Sequence, residues 1–188
     1  MLKIAVLTSN RAPGLDALRN HPFCGVSFTI DCVMTRRPPR DLHLRESYDS
    51  ETAALLRIRG VDVVVLLGYL YIITEPLLSA FPGRVLNVHD GDPKYPGLHA
   101  TRDAILAGER QTRSIVHIVT PDLDAGPLVV RSDPFLVAPF VHAAVAAKEW
   151  DIVRAYAYAQ REWMMRSTWA NLIVEALDRV TALDAAMV

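Results

Sequence analysis

The run Val61-Asp62-Val63-Val64-Val65-Leu66-Leu67 decides the fold, because β-branched and aliphatic residues in near-continuous succession are typical of a strand buried on both faces of a sheet. A helical pattern over residues 50–59 precedes this run and ends at Gly60, and a short helix is expected over residues 74–80. The next apolar run, residues 84–88, predicts a second buried strand. Strands that alternate with helices in this way predict an α/β domain with a mostly parallel sheet and flanking helices.

The same alternation continues toward both ends of the chain. Four further strands are expected, at residues 4–8, 26–33, 114–119 and 128–135. Short helices are expected at residues 15–19 and 99–107, and the polar segment 34–48 is expected to be a loop. The chain contains no stretch long enough to serve as an interdomain linker. We therefore expect a single domain over residues 1–188, with a catalytic core that covers about residues 1–137.

A long helical segment is expected to follow, over about residues 142–180. Apolar residues recur there at helical spacing, which predicts that they form the buried face of the helix. These residues are Ile152, Tyr156, Ala159, Trp163, Ala170, Val174 and Leu177. The segment is also a candidate surface for a homodimer.

Composition narrows the class of protein. Hydrophobic residues make up 51% of the chain, which excludes a disordered protein, and a formal net charge of −1 gives no general attraction to nucleic acid. Cys24 and Cys32 lack the spacing of a metal or redox site, so we expect reduced thiols in a cytoplasmic protein without a metal. No apolar stretch reaches the roughly 18 residues of a membrane span, so no membrane association is expected.

Three polar side chains could perform acid–base chemistry together. Asn87 and His89 are two residues apart at the end of an apolar run, and in a strand this spacing places both on the same face. Asp124 lies on a tight turn in the sequence Asp122-Leu123-Asp124-Ala125-Gly126-Pro127. Acyl transfer to an amine needs a group that polarises the carbonyl, a group that handles the proton and a group that orients the latter. An amide, an imidazole and a carboxylate can meet these three needs.

The stretch FPGRVLNVHDGDPKYPGLHATRDAILAGE, residues 81–109, contains an Asn-x-His motif and a Lys-Tyr-Pro-Gly-Leu-His segment. Together with the later Leu123-Asp124-Ala125-Gly126-Pro127, these motifs resemble those of the 10-formyltetrahydrofolate-dependent formyltransferases, and most closely those of the glycinamide ribonucleotide branch. The resemblance covers about residues 61–130 and extends more weakly back to Met1. It implies a Rossmann-like formyltransferase fold and transfer of a formyl group from 10-formyltetrahydrofolate to a primary amine of a small molecule.

The resemblance also implies roles for individual residues. Asn87 would donate its amide N–H to the formyl oxygen, His89 would handle the amine proton, and Asp124 would hold His89 in its charged form. His117 lies on an apolar strand, where a buried structural histidine is expected, and would orient Asp124. The pterin ring of the donor is expected to contact apolar side chains and backbone groups of Gly68, Leu70, Tyr71, Ile72, Ile73, Thr120, Asp122 and Leu123.

Two segments depart from the family pattern on the acceptor side. The family has a Ser-Gly-x-Gly-Ser-Asn turn whose N–H groups hold the substrate phosphate, whereas this chain has Ser9-Asn10-Arg11-Ala12-Pro13-Gly14, with no N–H on Pro13. The loop after His89 carries two acids. We therefore expect a neutral or cationic amine as the acceptor rather than a phosphorylated one. Its expected contacts are Ser9, Asn10, Arg11, Asp90 and Asp92.

Two other functions fit the same residues. A formyltetrahydrofolate hydrolase would use water in place of the amine, and a folate-binding homologue would keep the fold without the chemistry. The intact set of Asn87, His89 and Asp124 favours an enzyme over a binding protein. Tetrahydrofolate release, measured with and without candidate amines, separates transfer from hydrolysis.

Overall fold

The computed structural model describes residues 1–9, 11–35 and 37–185, with side chains described through residue 182. Its strands are β1 (Leu2–Leu7), β2 (Phe28–Met34), β3 (Val63–Leu67), β4 (Val85–His89), β5 (Gln111–Thr112), β6 (Ile115–Ile118), β7 (Leu128–Arg131) and β8 (Phe135–Leu136). Its helices are α1 (Leu15–Arg19), α2 (Leu42–Ile58), α3 (Glu75–Ala80), α4 (Ala100–Leu106), α5 (Pro139–Ala146) and α6 (Trp150–Ala185).

Within the described residues, a six-stranded sheet runs in the order β2-β1-β3-β4-β6-β7. The pairs β2–β1, β1–β3 and β3–β4 are parallel, and the pairs β4–β6 and β6–β7 are antiparallel. β3 lies between two parallel neighbours, and all five of its residues are buried, as its composition predicts. The predicted α/β domain with a mostly parallel sheet is confirmed. A separate antiparallel pair joins β5 to β8.

Helices cover both faces of the sheet. Successive side chains of β3 point to opposite faces, so Val63, Val65 and Leu67 pack with residues of α1 and α6, whereas Val64 and Leu66 pack with residues of α2 and α3. In the part of the chain that the structure describes, no helix has both the length and the apolar character needed to cross a bilayer.

The prediction of a loop over residues 34–48 is wrong from Leu42 onward, where α2 begins. The Asp41 side chain accepts a hydrogen bond of 3.1 Å from a backbone N–H of the first turn, and this cap starts the helix. The sequence of this segment is typical of a polar loop because the inner face of α2 includes charged residues. Arg45 and Asp49, one helical turn apart, are both buried.

The C-terminal segment is helical as predicted, but it consists of α5 and α6, and the predicted buried face is wrong in the first half of α6. Ile152 and Trp163 are 43% and 58% exposed, although Val174 and Leu177 are buried. The first half of α6 packs instead through positions about 100° further around the helix. Val153 and Ala157 lie in a core cluster with residues of α4 and α5. Packing against neighbouring helices, rather than the apolar stripe itself, determines which side is buried.

Candidate active site

Asn87 and His89 line one cleft at the carboxyl end of β4, as their spacing predicts. β4 is the last parallel strand of the sheet and is followed by the antiparallel strand β6. The register between these two strands places Asn87 directly opposite His117. Strand pairing therefore brings the histidine that was predicted to orient Asp124 next to the amide of Asn87.

Asp124 reaches the same cleft from the turn between β6 and β7. Its φ of 51° lies in the left-handed region, which residues other than glycine seldom adopt. At Gly126 the turn packs so tightly against β6 that a Cβ atom would lie 1.8 Å from the Ile118 carbonyl oxygen. The turn thus requires a glycine at position 126 and holds the Asp124 carboxylate in an uncommon backbone conformation.

Hydrogen bonds join Asn87, His117 and Asp124. The Asn87 Nδ2 atom lies 3.1 Å from Asp124 Oδ1 and 3.1 Å from His117 Nε2. His117 Nδ1 lies 3.0 Å from the Ile118 carbonyl oxygen, so Nδ1 donates to that oxygen and Nε2 accepts from Asn87. Both N–H groups of the Asn87 amide are therefore directed at protein acceptors. A formyl oxygen must replace one of these acceptors to receive a hydrogen bond from Asn87.

His89 is buried between two oxygen atoms of the protein. Its Nδ1 atom lies 3.9 Å from Asp124 Oδ2, and its Nε2 atom lies 3.3 Å from the Tyr95 carbonyl oxygen. The first distance fits an ion pair and is too long for a hydrogen bond. The structure brings Asn87, His89 and Asp124 together in one cleft, and their catalytic roles stay predictions.

The Asp124 carboxylate is stabilised in its ionised form although it is buried. Burial raises its pKa, but the hydrogen bond that His117 donates from Nε2 when its ring is protonated, the charge of protonated His89 and the backbone N–H of Gly97 outweigh burial and lower the pKa from 3.8 to about 2. The Gly97 N–H donates to Asp124 Oδ2 at 2.7 Å. Asp124 is therefore negatively charged at neutral pH and faces the imidazole of His89.

This depressed pKa predicts a loss of stability in acid. A carboxylate with a lower pKa in the folded chain stabilises the fold above its unfolded pKa, and this stabilisation is lost as pH falls through the folded value. For Asp124 the shift from 3.8 to about 2 is worth on the order of 2 kcal/mol of unfolding free energy, present above about pH 4 and lost toward pH 2. We expect urea unfolding of the wild type to show a steeper decline over this range than unfolding of Asp124→Asn.

The matched control for this experiment is Asp16→Asn, because the Asp16 side chain is 95% exposed. This variant should keep the pH dependence of the wild type. If Asp124→Asn also kept it, the Asp124 carboxylate would not be held in its ionised form by the fold.

The loop after β3 forms the opposite wall of the cleft. Gly68, Leu70, Tyr71, Ile72 and Leu123 line the main cleft, which has a volume of about 300 Å³. An inner recess of about 50 Å³ adjoins it and is lined by further residues of the predicted donor site, Ile73, Thr120 and Asp122. The structure thus gathers every residue of the predicted pterin site around Asn87 and Asp124.

Gly68 lets the loop after β3 pack closely against the segment that follows β1. Its φ is 65°, and a Cβ atom there would lie 3.2 Å from Pro13 Cδ and 3.3 Å from the Arg11 carbonyl oxygen. Ser9 fixes the same loop, because its hydroxyl oxygen accepts a 2.7 Å hydrogen bond from the Leu70 N–H. The loop after β3 is therefore held against the end of β1.

Two residues of α2, which sequence reasoning missed, support this loop from behind. Arg45 Nη1 donates to the Ile72 carbonyl oxygen at 3.3 Å, and its guanidinium lies 5.1 Å from the centre of the Tyr71 ring. Asp49 Oδ2 accepts 2.7 Å hydrogen bonds from both the N–H and the hydroxyl of Thr74. One sequence feature could have identified them. Arg45 and Asp49 lie four residues apart and follow Asp41, a residue suited to cap a helix, and this pattern predicts a helix with a polar buried face.

The residues predicted to bind the acceptor are not all in one place. Arg11 forms an ion pair with Glu162 of α6, with a nitrogen–oxygen distance of 2.6 Å, and lines a groove separate from the cleft of His89. Asp92 is exposed, accepts a hydrogen bond from the Lys94 N–H at 3.1 Å, and lines a third cavity, of about 240 Å³. Asn10 lies outside the described residues.

The expectation for Asp90 as a residue that contacts the acceptor is wrong. This residue was expected to contact the acceptor and to favour a cationic amine through its charge, but its side chain is buried. Arg161 Nε donates to Asp90 Oδ2 at 2.7 Å, and the Thr101 hydroxyl donates to the same oxygen at 3.1 Å. The charge of Asp90 is therefore compensated within the protein. The compensating residue, Arg161, lies 71 positions away on α6, so the local sequence around Asp90 does not predict this ion pair.

The comparison with known families agrees with this geometry. Residues 3–139 match the model of the formyl transferase family, and this range contains Asn87, His89 and Asp124. The chain belongs to this family. The formyl transferase match also includes the loop after β3 and the turn that bears Asp124, so it covers both walls of the cleft.

Individual formyl transferase relatives show the extent of the similarity. The phosphoribosylglycinamide formyltransferase of Escherichia coli is 40% identical over 89 residues, which are 47% of this chain, and the match covers only 42% of that protein. Glycinamide ribonucleotide transformylase 1 of Symbiobacterium toebii has a TM-score of 0.63 at 27% identity, over 88% of this chain and 86% of that one. A formyltetrahydrofolate deformylase of Pseudomonas syringae shares the fold, with a TM-score of 0.72 at 22% identity over 95% of this chain and 62% of that one.

In this formyl transferase domain, the segment of residues 94–97 lies between the cleft and the protein surface. Its backbone faces the cleft, through the Tyr95 carbonyl oxygen near His89 and the Gly97 N–H on Asp124. Its side chains face Glu109, whose Oε1 accepts from Lys94 Nζ at 2.6 Å and from the Tyr95 hydroxyl at 2.9 Å. The polar contacts of His89 and Asp124 with this segment therefore depend on the position of its backbone.

Proposed function

We propose that this chain transfers a formyl group from 10-formyltetrahydrofolate to a primary amine of a small molecule. The observation that supports this most directly is the convergence of Asn87, His89 and Asp124 on one cleft whose opposite wall is a largely apolar loop. Membership of the formyl transferase family supports the same class of reaction. The name of the Escherichia coli relative, a phosphoribosylglycinamide formyltransferase, supports an amine as the acceptor.

In the proposed reaction the acceptor nitrogen bonds to the formyl carbon, and the bond between that carbon and the donor nitrogen breaks. The products are a formamide and tetrahydrofolate. As the carbon becomes tetrahedral its oxygen gains negative charge, which a hydrogen bond from the Asn87 amide stabilises. His89 takes the proton that the acceptor amine loses and returns a proton to the departing donor nitrogen. The ionised Asp124 stabilises the imidazolium that forms between these two steps.

The donor fits the part of the cleft formed by residues 67–73 and 120–124. The pterin ring would lie in the inner recess and against the backbone of these two segments, and Leu70, Ile72 and Leu123, all more than half exposed, would cover the apolar remainder of the donor. The hydrogen bond of Arg45 with Ile72 and those of Asp49 with Thr74, the residue just after the first segment, support this placement, because they hold the backbone in position before the donor binds.

The test is the release of tetrahydrofolate from 10-formyltetrahydrofolate, with and without a panel of primary amines. We expect release to require an amine and the formylated amine to appear in equal amount, because the acceptor nitrogen must attack the formyl carbon. Absorbance follows the folate and mass spectrometry follows the formamide. Release at the full rate without any amine would instead make this chain a hydrolase. If the protein neither bound the folate nor released tetrahydrofolate from it, the chain would share only its fold with formyltransferases.

A further inference from the structure

The cavity of about 240 Å³ that Asp92 lines is separate from the cleft of His89, because the two share no lining residue. Its wall contains both apolar and charged side chains. The charged ones are Asp92, Lys94, Glu109, Arg113 and Arg131. With three cations and two acids, the wall carries a net positive charge. Of the three cations, only Lys94 forms an ion pair with a described residue, and its partner is Glu109.

Strand pairing places the two arginines on one face of the sheet. Arg131 of β7 lies directly opposite Ile115 of β6. The pairing continues beyond this point, because the Ser132 N–H donates to the Ser114 carbonyl oxygen at 2.8 Å. Arg113 comes two residues before Ile115 and therefore points to the same face as Arg131. Diagonal neighbours of this kind lie roughly 7–8 Å apart, so two long side chains can enter the same small space.

Both guanidinium groups are available to a ligand. Arg113 Nη1 donates to the uncharged Ser132 carbonyl oxygen at 2.9 Å, which fixes the direction of its planar group. Arg131 is exposed and forms no hydrogen bond or ion pair with another described residue. Two like charges in one small space repel each other, and an anion between them replaces this repulsion by two attractions. A carboxylate or a phosphate can also accept two hydrogen bonds from one guanidinium.

We propose that this cavity binds a small organic anion, a carboxylate or a phosphate with an apolar body, which regulates the protein and is distinct from the donor and the acceptor. Arg113 and Arg131 hold the anionic group. Ile115 and Leu128, which also line the cavity, contact the apolar body. The inference goes beyond the proposed function, because it adds a ligand that takes no part in the transfer.

The bound anion acts on the cleft through the segment of residues 94–97. The side chains of Lys94 and Tyr95 line the cavity, whereas the backbone of the same segment contacts His89 and the turn beyond β6. The ion pair of Lys94 with Glu109 is weak, because the Lys94 side chain is 55% exposed. An anion on the arginines therefore competes with Glu109 for Lys94 and loosens the segment. We expect its binding to lower turnover.

The first experiment measures binding to the wild-type protein by calorimetry at constant ionic strength. Benzoate is compared with benzamide, and phenyl phosphate is compared with phenol. We expect the anionic member of at least one pair to bind at least about 10-fold more tightly, because hydrogen bonds between charged groups are the stronger ones. The pair with the larger ratio identifies the preferred anion as a carboxylate or a phosphate.

The second experiment locates the bound probe with variants. Arg131→Gln should weaken binding of the anionic probe several-fold and should fold, because no described residue depends on this side chain. The double variant Arg113→Gln with Arg131→Gln should abolish the preference for the anion. Arg110→Gln is the matched control, because Arg110 is exposed, lies three positions before Arg113 and does not line the cavity.

The third experiment follows amide hydrogen exchange of residues 94–97 by mass spectrometry, with and without the saturating anionic probe. The Gly97 N–H, which donates to Asp124, should exchange faster with the probe in the wild type and should not respond in the double variant. None of the three readouts requires turnover, so they stand apart from the proposed function.

Three results would overturn the inference. Equal binding of the charged and neutral members of both pairs would exclude an anion site. A preference that survives in the folded double variant would place the anion elsewhere in the protein. Exchange of the Gly97 N–H that stays unchanged or becomes slower at saturation would refute the link between the cavity and the cleft.

Discussion

Replacement of His89 by alanine is expected to lower kcat at least ~100-fold, with little change in affinity for the folate. The imidazole Nδ1 lies 3.9 Å from the ionised Asp124 carboxylate, and an imidazole can both accept and return a proton in general acid–base catalysis. Since proton transfer occurs in the transition state, its loss should appear in kcat rather than in ground-state binding. Single-turnover kinetics and folate calorimetry together measure the two effects.

The matched control for His89→Ala is His99→Ala. His99 is exposed, and its side chain makes no capping hydrogen bond with α4, so the variant should keep the wild-type rate. A His89→Ala protein that turned over at a near wild-type rate would remove the imidazole from the mechanism and leave Asn87 and Asp124 as the groups to explain it.

Replacement of Asn87 by alanine is expected to cost roughly a hundredfold or more in kcat, through the loss of a hydrogen bond to the developing oxyanion. The structure adds a second effect, because Nδ2 of Asn87 also bonds to Asp124 and His117. Removal of the amide therefore also withdraws a donor from the carboxylate that faces His89. Steady-state kinetics should show a fall in kcat with a small change in the KM of the amine.

Asn171→Ala, an exposed asparagine on α6, serves as the control for Asn87→Ala. If Asn87→Ala raised the KM of the amine and left kcat unchanged, Asn87 would bind the ground state and would not stabilise the oxyanion.

The parts of this protein that sequence predicted best rest on short-range patterns. Most of the run from Val61 to Leu67 is apolar enough to be buried from both sides, and its residues from Val63 to Leu67 form strand β3 in the interior of the sheet. The spacing of Asn87 and His89 is a local property of one strand, and their common cleft was therefore predictable. The position of Asp124 relative to them was given by the family resemblance, since no local rule relates a turn to a strand 35 residues earlier.

The parts that sequence did not predict rest on contacts between distant segments. Arg161 reaches Asp90 from α6, and Asp49 reaches Thr74 from α2, although polar residues of these types are usually exposed. The stripe that contains Ile152 and Trp163 has the period of a buried helical face, yet the neighbouring stripe is the one that meets α4 and α5. The period of the apolar residues indicates that a helix has an apolar side. Which of two such sides is buried against other helices depends on tertiary packing.

The segment of residues 94–97, whose backbone faces the cleft and whose side chains contact Glu109, links the outer surface of the protein to the proposed catalytic groups. Glu109 meets neither substrate in the proposed arrangement, and its side chain is 33% exposed, yet it anchors both Lys94 and Tyr95. A change at this surface glutamate would shift the backbone that contacts His89 and Asp124 together, so the two groups would lose their alignment in concert. We therefore expect a substitution at Glu109 to change turnover while every residue inside the cleft stays the same.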